Sequence, residues 1–173
     1  MSVEGFEIVG ADQFHQMVTS MKEKVKGRLD EVGALEEAAR LVEGLVRRFK
    51  IEAVEAPEGY PPLFRVELSK ATVYIVVYPP RYDLLAGDAS RVASYILDMV
   101  ATEGSRKYVV IIFYTRHGKL GPAAYLYLGF LIEEHGVGIL FVNGGPEEVI
   151  EILEALEREG RYEPPDEEAI PIK

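Results

Sequence analysis

Three stretches of this chain, Val73–Tyr78, Tyr108–Thr115 and Val137–Val142, are apolar almost without interruption. A strand with one wet face alternates apolar and polar residues, whereas an unbroken apolar run fits a strand covered on both faces. Helical patterns separate the three runs. After Asp88, read as a helix cap, Val92, Tyr95, Ile96, Met99 and Val100 recur at three- and four-residue spacing, and Gly104 ends the pattern. Pro122–Glu134 is a second helix, apolar nearly all round. Buried strands alternating with helices imply parallel pairing through right-handed crossovers.

The first third of the chain has a different period. Residues 51–56 (IEAVEA) alternate, as an edge or half-buried strand does, and residues 57–62 (PEGYPP) form a turn-rich loop. LFRVELSK and ATVYIVVY read as two strands joined tightly around Lys70–Ala71, hence an antiparallel hairpin. Further upstream, Asp12 caps a helix with the stripe Phe14, Met17, Val18, Met21, Val25, Leu29 and Val32, and Gly33 ends it. A second helix carries Leu35, Ala38, Ala39, Val42, Leu45, Val46 and Phe49 inward. Pro146 opens the last helix, since its fixed φ and missing N–H suit a first helical position.

The expected fold is therefore α/β. An antiparallel hairpin leads into parallel strands of a mixed sheet with helices on both faces, in the order αβββαβαβα with an extra N-terminal helix. The 173 residues suit one domain. It spans residues 1–160, with a helical pair at 11–50 and the sheet and its helices at 51–160, and an acidic, Pro-rich tail covers 161–173. No internal repeat is visible in the sequence.

Composition removes several classes of function. At 48% hydrophobic and 28% charged residues the chain is ordinary globular material rather than a disordered or fibrous one. It contains no Cys, so disulfides, zinc ribbons and thiol chemistry drop out. No apolar run approaches the roughly 18 residues of a membrane helix, and MSVEGFEIVG lacks the basic start of a secretory signal. These features point to the cytoplasm and away from membranes. One Asn and two Gln among many Glu, Arg and Val resemble thermophilic usage. Of the net charge of −10, residues 146–173 supply most, with ten acids against three bases. Phosphate repulsion acts at that end alone, so nucleic acid is disfavoured rather than forbidden.

Open α/β sheets tend to bind ligands beyond the carboxyl ends of their parallel strands. Those ends supply Arg81, Tyr82 and Asp83, then Thr115, Arg116 and His117, then Asn143, Gly144 and Gly145. Adjacent parallel strands would bring Arg81, Asp83, Thr115, Arg116, His117 and Asn143 to one rim as a candidate ligand site. Asp with His suits general acid–base work, and Arg suits an anion. The competing explanation is that polar residues simply mark loops. Asn143-Gly144-Gly145-Pro146 resembles a strand-to-helix anion turn, but Glu147 and Glu148 put negative charge where a phosphate would sit, as ordinary dipole complements do. His15, His117 and His135 lack the spacing of a metal-binding helix, so no metal and no cofactor is expected. Gly-x-Ser-x-Gly and Gly-x-Gly-x-x-Gly are absent. The cations Lys22, Lys24, Lys26 and Arg28 spread around a helix rather than along one face, as a solvated surface does; the alternative is a phosphate-tracking patch joined by Arg47, Arg48 and Lys50. Most Tyr residues fall inside strands or the apolar helix, as core packing predicts. That helix is either central to the fold or covered by another subunit, and Tyr125–Leu131 is the expected contact of a homo-oligomer.

The stretch ALEEAARLVEGLVRRFKIEAVE, then VYIVVYPPRY, KYVVIIFYT and VGILFVNGG, resembles the restriction-endonuclease-like superfamily in its order of elements over about residues 34–145. That resemblance implies an acid on the second strand and Glu-x-Lys or Gln-x-Lys on the third, holding magnesium near the attacked phosphate. The third strand here reads Ile75-Val76-Val77-Tyr78-Pro79-Pro80-Arg81 and carries neither acid nor Lys. Glu67 and Lys70 stand on the preceding strand, and Glu36, Glu37 or Glu43 would match the acid of the opening helix. The leading expectation is a non-catalytic domain that binds a protein partner or small ligand on an endonuclease-like scaffold. The alternatives are a metal-dependent nuclease centred on Glu67 and Lys70, and a small-molecule enzyme using the Asp83–Arg116–His117 rim.

Overall fold

The computed structural model describes residues 5–8, 29–104, 107–162 and 170–171. In chain order the elements are β1 (Gly5–Ile8), α1 (Leu29–Leu45), β2 (Ile51–Val54), β3 (Leu63–Glu67), β4 (Ala71–Val77), β5 (Asp83–Leu84), α2 (Ala86–Glu103), β6 (Tyr108–Tyr114), β7 (Lys119–Leu120), α3 (Pro122–His135), β8 (Gly138–Val142), α4 (Pro146–Glu159) and β9 (Ile170–Pro171). The fold is α/β. Strands β2, β3, β4, β6 and β8 form the body of a mixed sheet in that spatial order, with short β1 and β9 at its two edges.

Strands β2, β3 and β4 run antiparallel to one another, and β3 turns into β4 through Ser69–Lys70, closed by the Leu68 N–H donating to the Ala71 carbonyl at 2.9 Å. Strands β4, β6 and β8 are neighbours and parallel, with Ala71 opposite Tyr108 and Val110 opposite Gly138. All seven residues of β4 are buried, as the apolar run demands. In β6 the side chains divide by parity. Val110, Ile112 and Tyr114 pack under α1 and α4, while Val109, Ile111 and Phe113 pack under α2 and α3. The period-2 geometry of a strand makes one apolar run serve two cores.

Several sequence expectations are corrected. Gly33 does not end a helix; it lies inside α1, which runs unbroken from Leu29. There α1 passes the loop after β4, where an added Cβ would lie 3.4 Å from Pro79 Cβ, an ordinary van der Waals contact. The segment read as a helix from Asp12, with His15 and Lys22–Arg28, lies outside the described residues. Asp88 is not the N-cap of α2: Leu85 holds that place, and Asp88, three residues on, accepts the Leu85 N–H at 3.4 Å. Of the two readings of β2, half-buried holds and edge does not, because β1 pairs with it from Gly5 to Ile8. Within the tail, Ile170–Pro171 pairs antiparallel with β8. Gly104 does terminate α2, in the left-handed conformation with φ 65°.

Charged side chains gather where the antiparallel strands leave the core. Arg65 on β3 lies between Glu52 of β2 and Glu103 at the end of α2, donating to Glu52 Oε1 at 2.7 Å and Glu103 Oε1 at 3.0 Å, with the Tyr74 hydroxyl beside it. Burial pushes the Tyr74, Tyr78 and Tyr114 hydroxyls up from the ordinary phenol range, Tyr114 to about 12. Each holds its proton more tightly in the folded chain than in the unfolded one. Stability is therefore complete below about pH 10 and declines as pH rises toward 12, because only the unfolded state releases these protons there. We expect loss of circular dichroism and tyrosinate absorbance to develop together in that interval. Ionisation of all ten Tyr at about pH 10 with the fold intact would contradict it.

Candidate functional site

The carboxyl ends of β4, β6 and β8 are stitched into one rim. The Tyr78 N–H donates to the Tyr114 carbonyl at 2.9 Å and the Thr115 N–H to the Val142 carbonyl at 3.0 Å, which extends both ladders past the strands. The Arg81 N–H then donates to the Arg116 carbonyl (2.7 Å), and the His117 N–H to the Asn143 carbonyl (2.9 Å). Fully buried Thr115 ties the layers together: its hydroxyl donates to the Pro79 carbonyl at 2.8 Å and accepts the Tyr82 N–H at 3.2 Å.

Two loops on this rim follow the same backbone course, a repeat invisible in the residues themselves. Arg81 and His117 both have φ 61°, and among the described residues they are the non-glycine positions with positive φ. Each is followed by one spacer residue, a two-residue strand and the N-cap of a helix. The short strands β5 and β7 pair in parallel, with Asp83 beside Lys119 and Leu84 beside Leu120. Left-handed backbone costs a side-chain-bearing residue about 1 kcal/mol or more and persists only where the surroundings enforce it. Here the Arg81, Tyr82, His117, Gly118 and Lys119 N–H groups are all engaged.

Gly118, the spacer of the second loop, is a close approach. A Cβ there would run into the Thr115 side chain and stand 2.6 Å from the Tyr82 carbonyl oxygen. Gly118→Ala is expected to destabilise by about 1–3 kcal/mol through overpacking against backbone, read by urea denaturation. Unchanged stability would mean the two loops are not in contact.

The structure divides the six rim candidates. Arg81, Asp83, His117 and Asn143 are exposed, and the Asn143 amide donates to the Gly118 carbonyl at 3.2 Å. Thr115 is part of the framework. Arg116 turns away from the rim and grips Glu37 of α1, Nε to Oε1 at 2.6 Å and Nη2 to Oε2 at 3.4 Å. The Glu37 side chain is only 4% exposed, and Arg40 Nε stands 3.5 Å away. The hydrogen bond that Arg116 donates to this carboxylate raises the Arg116 pKa. The signal for Glu37 was present in the sequence: it falls between Ala34 and Leu41 at helical spacing, one acid on a buried apolar face. Lys119, whose neighbour is Asp83, has no local pattern to reveal it.

Glu67 and Lys70 go to different partners. Glu67 accepts from Thr72 at 3.1 Å and from Lys107 at 2.9 Å, while the Lys70 ammonium donates to the Arg158 carbonyl at 2.7 Å. Both lie at the β3–β4 turn, the opposite end of β4 from the rim. Glu148 and Glu147 reach back over Gly144 and Gly145, so the Gly-Gly turn is filled by carboxylates. Arg48 of the basic group after α1 pairs with Glu154 of α4 at 3.4 Å. Among the described residues, no three His, Asp or Glu side chains form a group that could hold a metal ion, and no helix is long and apolar enough to cross a membrane. Comparison with protein-family models, with curated proteins and with solved structures gave no match to this chain.

Proposed function

We propose that this chain is a non-catalytic binding domain that presents the rim of β4, β6 and β8 to a protein partner or small ligand. The observation that carries the reading is the division of labour at the rim. Thr115 and Arg116, the groups with most capacity to position a reacting substrate, are used internally. Arg81, Asp83, His117, Lys119 and Asn143 point to solvent from loops whose amides are bonded to one another. Side chains displayed on a rigid backbone suit recognition, because little conformational freedom of the loop is lost on binding.

The endonuclease-like scaffold is part of the proposal. It is supported by the run of helix α1, three antiparallel strands, helix α2 and a parallel strand. The separation of Glu67 from Lys70 favours a scaffold without the cleaving centre. The same reading takes the α3 segment Tyr125–Leu131 as the contact surface for a second copy.

The test is incubation of the full chain with duplex DNA and single-stranded RNA in magnesium and in manganese, beside thermal-shift titrations with inorganic phosphate and citrate. We expect no cleavage. We also expect an anion-dependent rise in melting temperature that the doubly substituted Arg81→Ser, His117→Ser protein loses. Cleavage abolished by Glu67→Ala would overturn the reading in favour of a nuclease.

A further inference from the structure

Among the described residues, four of the five exposed large apolar side chains lie on α3 or against its N-cap, the fifth being Tyr108 at the start of β6. Leu126 is 72% exposed, Phe130 58% and Tyr125 40%, all on α3, and Leu85, 58% exposed, sits against the N-cap of the same helix, its Cδ2 3.3 Å from where a Gly121 Cβ would be. Leu126 follows Pro122 and Ala123, Phe130 follows Leu126, and Glu133 and Glu134 follow Phe130, each at a three- or four-residue interval, and all six are exposed. They form a single outward stripe that is apolar at its N-terminal end and acidic at its C-terminal end. The opposite side of α3, with Ala124, Leu128 and Leu131, is buried in the core.

The charges on this stripe are the reverse of what an isolated helix favours. The first turn of α3 has no acidic residue and its N-cap Gly121 makes no side-chain cap, so the positive end of the dipole is uncompensated. In the last turn, where negative charge is unfavourable, Glu133 and Glu134 outnumber the single basic residue, His135, and neither pairs with another described residue. Both defects are corrected at once by a second α3 lying antiparallel on the first. A two-fold axis near the middle of the stripe sets Leu126 of each copy against Phe130 of the other. It also brings Glu133 and Glu134 of each copy to the other's uncapped first turn and to Lys119 beside it. Isologous two-fold contacts of this kind are the commonest form of self-association.

We infer that the chain forms an antiparallel two-fold dimer through α3, an inference that rests on reading Tyr125–Leu131 as a contact surface. The second copy is a better occupant of the stripe than residues 9–28. Ile8 ends β1 on the sheet edge farthest from β8, and α1 packs on the face opposite α3, so the described residues on both sides of that segment lie away from the stripe. The dimer also places each copy's acidic helix end beside the other's rim, so the two surfaces of the molecule are joined.

The experiment uses the full chain in sedimentation velocity and in cross-linking. We expect a dimer, and we expect Leu126→Asp to give monomer with unchanged circular dichroism, weakening association about 100-fold as loss of a central apolar anchor does. Because the chain has no native Cys, Leu126→Cys and Phe130→Cys proteins report orientation with a short bis-maleimide. Mixed together they should couple to each other faster than either couples to itself. A chain that stays monomeric at about 100 µM, or a dimer indifferent to Leu126→Asp, overturns α3 as the contact surface. A Leu126-dependent dimer that couples like to like overturns only the antiparallel arrangement.

Discussion

Truncating Phe113 to alanine is expected to cost about 3–5 kcal/mol, and Ile112→Ala about 2–5 kcal/mol, each a large share of a domain's typical 5–15 kcal/mol. Both residues are 0% exposed and adjacent on β6, the middle parallel strand, yet they enter different cores. Phe113 fills the layer beneath α2 and α3 and lies 6.4 Å, centroid to centroid, from Tyr78, which stacks on Tyr82 at 5.1 Å. Ile112 packs in the layer under α1 and α4. Urea denaturation of the two variants measures each layer separately. Two large losses of similar size confirm a sheet covered on both faces. A loss under about 1 kcal/mol at either position would mean that face is not a packed interior.

The second large effect is asymmetric. Arg116→Ala should destabilise by about 3 kcal/mol, and Glu37→Ala by about 1 kcal/mol. Removing the arginine leaves a carboxylate that is 4% exposed, with only the exposed Arg40 nearby, and burying a charge without a partner is costly. Removing the glutamate leaves a guanidinium that is 28% exposed and can reach water. The double variant Glu37→Leu, Arg116→Met should recover most of the loss, because an apolar pair of similar volume avoids desolvating two ions. Equal losses for the two single variants would show that the pair is less enclosed than the structure has it. The pair also joins α1 to the rim, so Arg116→Ala should change the amide exchange of the loop around His117 more than Glu37→Ala does.

Much of the architecture was legible in the residues because it follows from local periodicity. The three apolar runs became adjacent parallel strands, the Lys70–Ala71 turn became a hairpin, and Pro122 and Pro146 opened helices. Each of these depends on a repeat of two or about 3.6 residues, which a chain carries whatever surrounds it. Gly33 was misread for a related reason. A glycine that ends a helix and one that sits inside it look identical in a local pattern, and only the continuous helix from Leu29 shows which this is.

The candidate site was less legible. The residues indicated which polar groups follow each strand, and the rule of carboxyl ends put them together. They did not indicate which side chains remain available. Arg116 faces Glu37 from 79 positions away, Thr115 bridges Pro79 and Tyr82, and the matched left-handed turns at Arg81 and His117 arise from hydrogen bonds between separate loops. The outward stripe of α3 is a similar case. An all-apolar helix is compatible with a central or a peripheral place, and only packing against α2 and β8 left Leu126 and Phe130 facing outward.

The sequence by itself determined the types of the main strands and of the helices around them, and with them the layered α/β class. Only the tertiary structure decided which charges are spent internally and which face solvent. Strand and helix periods are short-range properties of the chain, whereas the fate of a charged side chain is set by the desolvation and pairing it meets among residues brought together by folding.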